Sequence, residues 1–322
     1  MDRNLALEVV RVTEAAALAS ARWMGRGDEV EADAAAVQAM HQLFPDIDFH
    51  AQVVIGEGDR DSMAMLYEGE DLGTGRGPDI AVALDALEGA TGCATGAPNA
   101  ISVIAIAEHG EFLRCPHHMY MEKLAVGPRG KGVVDLDRPI AENLSALAQA
   151  KGVLVETLVV VLLDRPRYEA LVNELRQIGV RIKLISDGDL AAALATTREE
   201  SGIDILLGTG GAAQGIIAAA ALRCLGGEIQ GRFRPRNQDE TTRLRELGIS
   251  DLHKKYTAGE MARGNVVFAA TGVTAGDYLR GVRFFHGGAV TNSVVMRSKT
   301  GTVRFLETFH HFEDYPEYKH DA

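Results

Sequence analysis

From Thr157 to Leu225 the chain alternates short apolar runs with amphipathic ones, and this rhythm constrains the fold more than any other feature. It reads as strand 157–163, helix 167–179, strand 181–185, helix 189–197, strand 203–208 and helix 212–225. Repeated strand and helix units of this length predict a largely parallel sheet with helices laid on it. In such sheets ligands gather at the carboxyl ends of the strands. Here those ends are Asp164-Arg165-Pro166-Arg167, Ser186-Asp187-Gly188-Asp189 and Gly208-Thr209-Gly210-Gly211, all polar or glycine-rich.

The rest of the chain has a different texture. Residues 5–23 carry apolar side chains at a helical period and stop at Gly25-Arg26-Gly27, and 30–43 form a second helical pattern closed by Pro45. Strands are expected at 51–55, 80–84, 100–108 and 124–127, joined by glycine turns. They suggest a mixed or antiparallel sheet with the first two helices against it. After a charged helix at 237–247, strands follow at 265–270, 281–286, 289–296 and 302–308. The fold class is therefore α/β, expected as an α+β lobe over residues 1–152 and an α/β lobe over 153–322, tightly joined because no low-complexity linker separates them.

With 33 Lys and Arg against 45 Asp and Glu, a net charge of −12 excludes nonspecific nucleic-acid binding, which needs a basic face. Phosphate ligands must instead be held by metals or by a few placed cations. Asp2, Arg3, Glu8, Arg11 and Glu14 interrupt the first residues, so a signal-peptide core is not expected there, and no run of 18 apolar residues predicts a membrane span. Cys93, Cys115 and Cys224 form no close pair in sequence, which fits a reducing cytoplasm.

Candidate chemistry begins with carboxylates. Asp85 and Glu88 follow the apolar run 80–84 and precede Gly89, Glu57 lies between Gly56 and Gly58, and Asp33 falls in the first turns of the second helix. Clustered oxygen donors of this kind suit hard divalent cations and phosphate chemistry. Each acid taken alone also has a plainer role: Asp33 as a first-turn charge, Glu57 and Asp59 on a turn, Asp85 as a cap. Arg165 and Arg167 suit bidentate phosphate binding, although surface arginines are common. Asp187 and Asp189 would accept from sugar hydroxyls or cap the helix after them. Gly208 to Gly211 would cradle a phosphate or simply turn, and without a following Lys-Ser/Thr pair they form no P-loop. Tyr120 would reach a ligand or pack its ring in the core. Adjacent histidines, His117-His118 and His310-His311, point in different directions and suggest structure rather than zinc.

The motifs Gly25-Arg26-Gly27-Asp28, Val54 to Gly58, Met65-Leu66-Tyr67, Asp85 to Gly89, Asn99 to Val103, Tyr120 to Lys123 with Val126-Gly127-Pro128, Asp164 to Arg167, Asp187-Gly188-Asp189, and Ala270 to Thr274 through Gly301 to Val303 occur in one order along nearly the whole chain. Together they resemble the class II fructose-1,6-bisphosphatases of the bacterial GlpX type. That resemblance implies a layered αβαβα sugar-phosphatase fold of the lithium-sensitive phosphatase superfamily, Mg2+ or Mn2+ as cofactor, a small-molecule sugar phosphate as substrate, and a homodimer or homotetramer. It implies hydrolysis of fructose 1,6-bisphosphate to fructose 6-phosphate and phosphate. Carried over by position, the metal ligands would be Asp33, Glu57, Asp85 and Glu88, with Gln214 where the family has a further metal-binding Glu. The sugar phosphate would meet Glu88, Gly89, Ala90, Tyr120, Arg165, Arg167, Asp187, Asp189, Gly210 and Gly211. The family's Asp-Pro-x-Asp/Glu-Gly-Thr reads Asp85-Ala-Leu-Glu-Gly-Ala90 here, so Ala90 stands in place of the Thr that helps activate water, and Glu29 replaces a Lys. Thr91 or a substrate hydroxyl would then serve. These departures imply reduced or altered hydrolysis, with a repurposed paralogue for another phosphosugar or a non-hydrolytic binder as the alternatives.

Overall fold

A computed structural model describes residues 5–312; Asp2 and Arg3, counted above, lie outside them. In chain order the elements are α1 (Leu5–Ala21), α2 (Glu29–Leu43), β1 (His50–Ile55), β2 (Asp71–Leu72), β3 (Asp79–Glu88), α3 (Ala90–Thr95), β4 (Ile101–Ala107) and β5 (Tyr120–Val126). There follow α4 (Ile140–Lys151), β6 (Val159–Leu163), α5 (Glu169–Ile178), β7 (Arg181–Ile185), α6 (Asp189–Ala195), β8 (Ile205–Gly211), α7 (Ala212–Leu225) and β9 (Glu228–Phe233). The last are α8 (Gln238–Glu246), β10 (Tyr256–Thr257), α9 (Ala258–Met261), β11 (Val267–Gly272), β12 (Arg283–Phe285), β13 (Gly288–Arg297) and β14 (Thr302–His311).

The strands form two mixed sheets. An eight-stranded sheet runs β12-β13-β11-β4-β3-β1-β2, with β14 also paired to β13, and a six-stranded one runs β10-β9-β5-β8-β6-β7. Helices α1 and α2 cover one face of the larger sheet, where Val9, Ala16 and Val37 meet Val82, Leu84 and Ile104. Its other face, carrying Ala81, Ala83 and Val103, shares one core with α6 and α7 and with β5, β6 and β8 of the smaller sheet. Met121 and Lys123 of β5 face α7, since a Cβ on Gly215 would touch both, while Val126 faces α4 through Leu147. The layers are thus helix, sheet, helix, sheet, helix, the order that the family resemblance implies.

Local pattern predicted the strands around the middle of the chain well. Parallel pairing joins β6 to both β7 and β8, but β5 and β9 add antiparallel strands to the same sheet. The sheets do not part at residues 152 and 153. β5 comes from the first half and lies in the smaller sheet, whereas β11 to β14 return to the larger one, with β11 pairing antiparallel to β4 from Val267↔Ile106 to Gly272↔Ile101. The physical reason is that β4 has an exposed edge only a distant strand fills, and nothing in local periodicity reports such a pairing.

Candidate active site

The strand expected to end at Leu84 continues to Glu88, and an irregularity within it aims the two carboxylates. β3 pairs Asp85 with Val103 and Glu88 with Ile101, so three steps on β3 match two on β4. That extra residue is a β-bulge. Without it, residues three apart would point to opposite faces of the sheet. With it, Ala86 and Leu87 both pack toward α1 and α2, and Asp85 and Glu88 both turn inward. Gly89 then holds φ at 90° and begins α3, where a Cβ would lie 3.1 Å from the Ala100 Cα.

Inward, Asp85 Oδ2 accepts from Gln214 Nε2 at 2.9 Å, on the first turn of α7. Glu88 Oε1 accepts from the Leu190 N–H of α6 at 3.2 Å, and Oε2 is buried without a partner. Glu57 Oε1 accepts from the Ala86 N–H at 2.6 Å. Burial raises all of these carboxyls, Asp85 to about 7, and raises Asp33 too. Neighbouring charges push in the same direction: Asp85 and Asp33 on Glu57, and Asp187 and Asp189 on Glu88. Asp59, by contrast, is an exposed loop acid whose Oδ1 accepts from Ser62 Oγ at 2.8 Å and from two backbone N–H groups, which holds its carboxyl below the usual range.

Four acids crowded behind a desolvated wall, one with an orphaned oxygen, form a donor set that fits a hard divalent cation. As the side chains stand, no three His, Cys, Asp or Glu among the described residues converge closely enough to hold an ion. Gln214 and the Ala86 N–H draw Asp85 and Glu57 toward themselves instead. Carboxylates buried together and repelling one another in this way gain most from a cation.

The same cavity, about 580 Å³, has a cationic wall. Arg165, Arg167 and Arg236 line it, and Tyr120 lies between two of them, with the Arg167 Cζ 5.7 Å and the Arg236 Cζ 4.7 Å from its ring centroid. Arg167 donates to the Thr209 carbonyl at 2.7 Å, and Arg236 is held by Glu240 Oε1 at 2.7 Å from Nε. Asp187 also lines the cavity, its carboxyl raised by burial. Asp189 is committed inside the protein: its Oδ2 lies 2.5 Å from Lys123 Nζ, with both side chains nearly buried.

Of the residues singled out from sequence, Asp33, Glu57, Asp85, Glu88, Gly89, Ala90, Tyr120, Arg165 and Arg167 all line this cavity, as do Asp187, Asp189, Gly210, Gly211 and Gln214. Thr91 does not; its Oγ1 donates to Glu29 Oε2 at 2.8 Å on the exposed side of α3. Gly210 and Gly211 are strand residues paired with Met121 and Tyr120 rather than a turn. A Cβ at Gly210 would fall 2.1 Å from Asp189 Oδ2, so glycine is required there by close approach. Sequence reasoning missed Arg236, which the run Arg232-Phe-Arg-Pro-Arg236 after β9 signals as a cationic strand end. It also set aside His117 and His118, yet both line the cavity, with His118 at φ 59°. His310 instead bonds Thr291 Oγ1 at 2.9 Å, in a buried polar cluster around Glu14.

A sequence profile described as bacterial fructose-1,6-bisphosphatase, glpX-encoded, matches residues 3–310. The chain is 42% identical over 339 residues to a D-fructose 1,6-bisphosphatase class 2/sedoheptulose 1,7-bisphosphatase of Synechococcus elongatus, with 98% of each chain covered. It is 43% identical over 335 residues to a protein of the same description from Synechococcus sp. strain JA-3-3Ab, with 96% of each covered.

Proposed function

We infer that this chain, which belongs to the family of glpX-encoded bacterial fructose-1,6-bisphosphatases, hydrolyses a sugar phosphate in a divalent-metal-dependent reaction. Fructose 1,6-bisphosphate is the reference substrate, and the seven-carbon bisphosphate in the relatives' names is the second to be tried. The observation that carries this reading is one cavity with buried carboxylates and three arginines in its walls. That pairing suits a molecule with a phosphate at each end.

Asp33, Glu57, Asp85 and Glu88 would hold the metal, and an all-oxygen set favours Mg2+ or Mn2+. When bound, such an ion polarises the phosphoryl oxygens and stabilises the leaving alkoxide. Arg165, Arg167 and Arg236 fix the distal phosphate, and Tyr120 gives the sugar a flat wall. Asp187 accepts from a sugar hydroxyl; Asp189, already paired, positions Lys123 and β8. The first turn of α7 directs its positive end toward the same cavity and favours anions there.

Ala90 presents a methyl to the cavity where the family resemblance places a Thr hydroxyl, and Thr91 is engaged by Glu29. Loss of an activating group costs about 10² to 10⁴ in rate. Slow hydrolysis is therefore the expectation. Ala90→Thr tests it: a rise in kcat of about 10²-fold on fructose 1,6-bisphosphate supports the assignment. If the variant binds product yet stays slow, the cavity serves another phosphosugar, or binds without hydrolysis.

Free buried cysteines at 93, 115 and 224 accord with a reducing cytoplasm, and no helix among the described residues is long and apolar enough to cross a membrane. Self-association has support in β14, which pairs only with β13 among the described residues and exposes Phe305 and Phe309. Light scattering on Phe305→Glu/Phe309→Glu should show the smaller species if this edge mediates a homodimer or homotetramer; an unchanged mass excludes it.

A further inference from the structure

The turn that carries Asp187 is braced from outside the cavity by residues that do not line it. Asn99, in the stretch between α3 and β4, is 2% exposed and holds φ at 77°, a left-handed conformation that asparagine tolerates better than most side chains. Its carboxamide closes on one partner: Oδ1 accepts from the Asp277 N–H at 2.8 Å, and Nδ2 donates to Asp277 Oδ2 at 3.0 Å. Asp277 in turn receives Lys183 Nζ on both carboxylate oxygens, at 2.6 and 2.7 Å. Lys183 lies on β7, the strand that ends at Ile185 and delivers Asp187.

This clamp ties the two sheets together beside the cavity. Asn99 and the 273–282 segment adjoin β4 and β11 of the larger sheet, whereas β7 belongs to the smaller one. The Asn99 N–H donates to the Ala275 carbonyl at 3.2 Å and the Ala100 N–H to Thr274 Oγ1 at 3.0 Å, so the segment grips the chain just before β4. On its other side Asn99 is the surface against which Gly188 packs. A Cβ at Gly188 would lie 3.2 Å from the Asn99 carbonyl oxygen and 3.3 Å from the Asn99 Cβ. Gly188, at φ 84°, donates its N–H to Asp187 Oδ1 at 3.0 Å. Ala100 backs Gly89 in the same way, so residues 99 and 100 support both the turn after Glu88 and the turn between Asp187 and Asp189.

An asparagine that merely shaped its own loop would bond to neighbours in sequence. Here the partner of the carboxamide lies 178 residues away, and the bonded pair continues into a third element. Asn99, Asp277 and Lys183 do not line the cavity, so they reach a ligand only through the turns they hold. The start of α6 is thereby fixed from two directions, by Asn99 behind Gly188 and by Glu88 Oε1 accepting from the Leu190 N–H. A carboxylate that selects a sugar hydroxyl must be held to within about 0.5 Å, which packing and hydrogen bonds behind it supply. Without the Asn99 side chain, Gly188 loses its backing and Asp187 can shift against Glu88.

We propose that Asn99, clamped by Asp277 and Lys183, is a positioning residue that sets where Asp187 stands relative to Glu88, and so determines how well the cavity holds a sugar as against a bare phosphate. This deepens the reading of the cavity as a sugar-phosphate site and rests on it. Calorimetry on the full chain with Mg2+ tests it, with fructose 6-phosphate and inorganic phosphate as the two probes. Asn99→Gly keeps the left-handed backbone and removes the clamp. It should weaken fructose 6-phosphate at least about tenfold, the loss of one hydrogen bond to a charged group, while inorganic phosphate binds as before. Lys183→Met, at a half-buried strand position, tests the same clamp where Asn99→Gly does not unfold cooperatively, and should weaken fructose 6-phosphate about threefold. In an Asp187→Ala background Asn99→Gly should add less than about twofold, because the residue it positions is gone. Equal fructose 6-phosphate affinity in wild type and variants, both probes weakened alike, or an undiminished effect in the Asp187→Ala background overturns the positioning role alone. No binding of fructose 6-phosphate by the wild type overturns the sugar-phosphate reading and this proposal with it.

Discussion

Replacing Lys123 by Met gives the sharpest test of how the cavity is built. Lys123 and Asp189 are 3% and 7% exposed, and their charged atoms lie 2.5 Å apart, with Lys123 also donating to the Gly211 carbonyl at 3.0 Å. Methionine nearly preserves volume, so packing against Gly215 and Met121 survives while the ammonium disappears. What remains is a buried carboxylate beside Asp187 and Glu88, whose own carboxyl Asp189 already pushes upward. Breaking a buried pair on one side costs about 3–5 kcal/mol. With about 2.1 cal/mol/K of unfolding entropy per residue, a chain of 322 residues has roughly 0.7 kcal/mol/K, so the loss corresponds to a fall in Tm of about 4–7 °C. Calorimetry in EDTA at pH 7.5 measures it. Adding Asp189→Asn to the Lys123→Met background removes the stranded charge and should recover at least about half of the loss. A single variant within about 1 kcal/mol of the wild type, or a double variant no better than the single, would refute the claim that this pair is desolvated.

Other outcomes follow from the same geometry. Burial raises the Asp85 carboxyl from 3.8 to about 7, so between those values the folded state holds a proton that the unfolded state has lost, and metal-free protein loses stability as pH rises through that window. The effect is on the order of 4 kcal/mol for this group, and Asp85→Asn should flatten the pH dependence of urea midpoints in EDTA. Gly210→Ala places a Cβ where Asp189 Oδ2 sits, so it should cost about 1–3 kcal/mol and lower product affinity in calorimetry. His310 is shifted downward, chiefly by burial, so its contribution is retained above pH 6.5 and lost as the medium is acidified below it. His310→Gln should therefore weaken the fall in Tm on acidification; an identical acid profile contradicts the assignment.

Much of the cavity was legible because its residues sit at strand ends, where the chain must turn and polar groups collect. The apolar run before Asp85 predicted a strand that delivers an acid, but not the bulge that brings Glu88 to the same face, since an extra residue in one strand is defined only against its partner. β9 escaped detection because Gly231 interrupts the pattern and Gln230 is buried to bond the Leu136 N–H and Val134 carbonyl rather than to pack apolar surface. The return of β11 to pair with β4 joins residues far apart in sequence, beyond the reach of local periodicity. Gly210 read as part of a phosphate cradle or a turn, but it is a strand residue whose Cβ position is occupied by the Asp189 carboxylate, a tertiary contact that local sequence does not report. Arg236 is anchored locally by Glu240, four residues on, and its run marks it as a cation; what the sequence does not report is that it stands over the Tyr120 ring of β5.

The central claim is that Asp85 and its neighbours form a metal-dependent phosphatase site facing an arginine wall. Phosphate release from fructose 1,6-bisphosphate, followed across a titration of Mn2+ or Mg2+ for the wild type and for Asp85→Asn, tests it most directly. The account predicts release that is absent in EDTA, saturates with metal, and falls at least about 10²-fold in the variant. Metal-independent release, or equal turnover by Asp85→Asn, would contradict it.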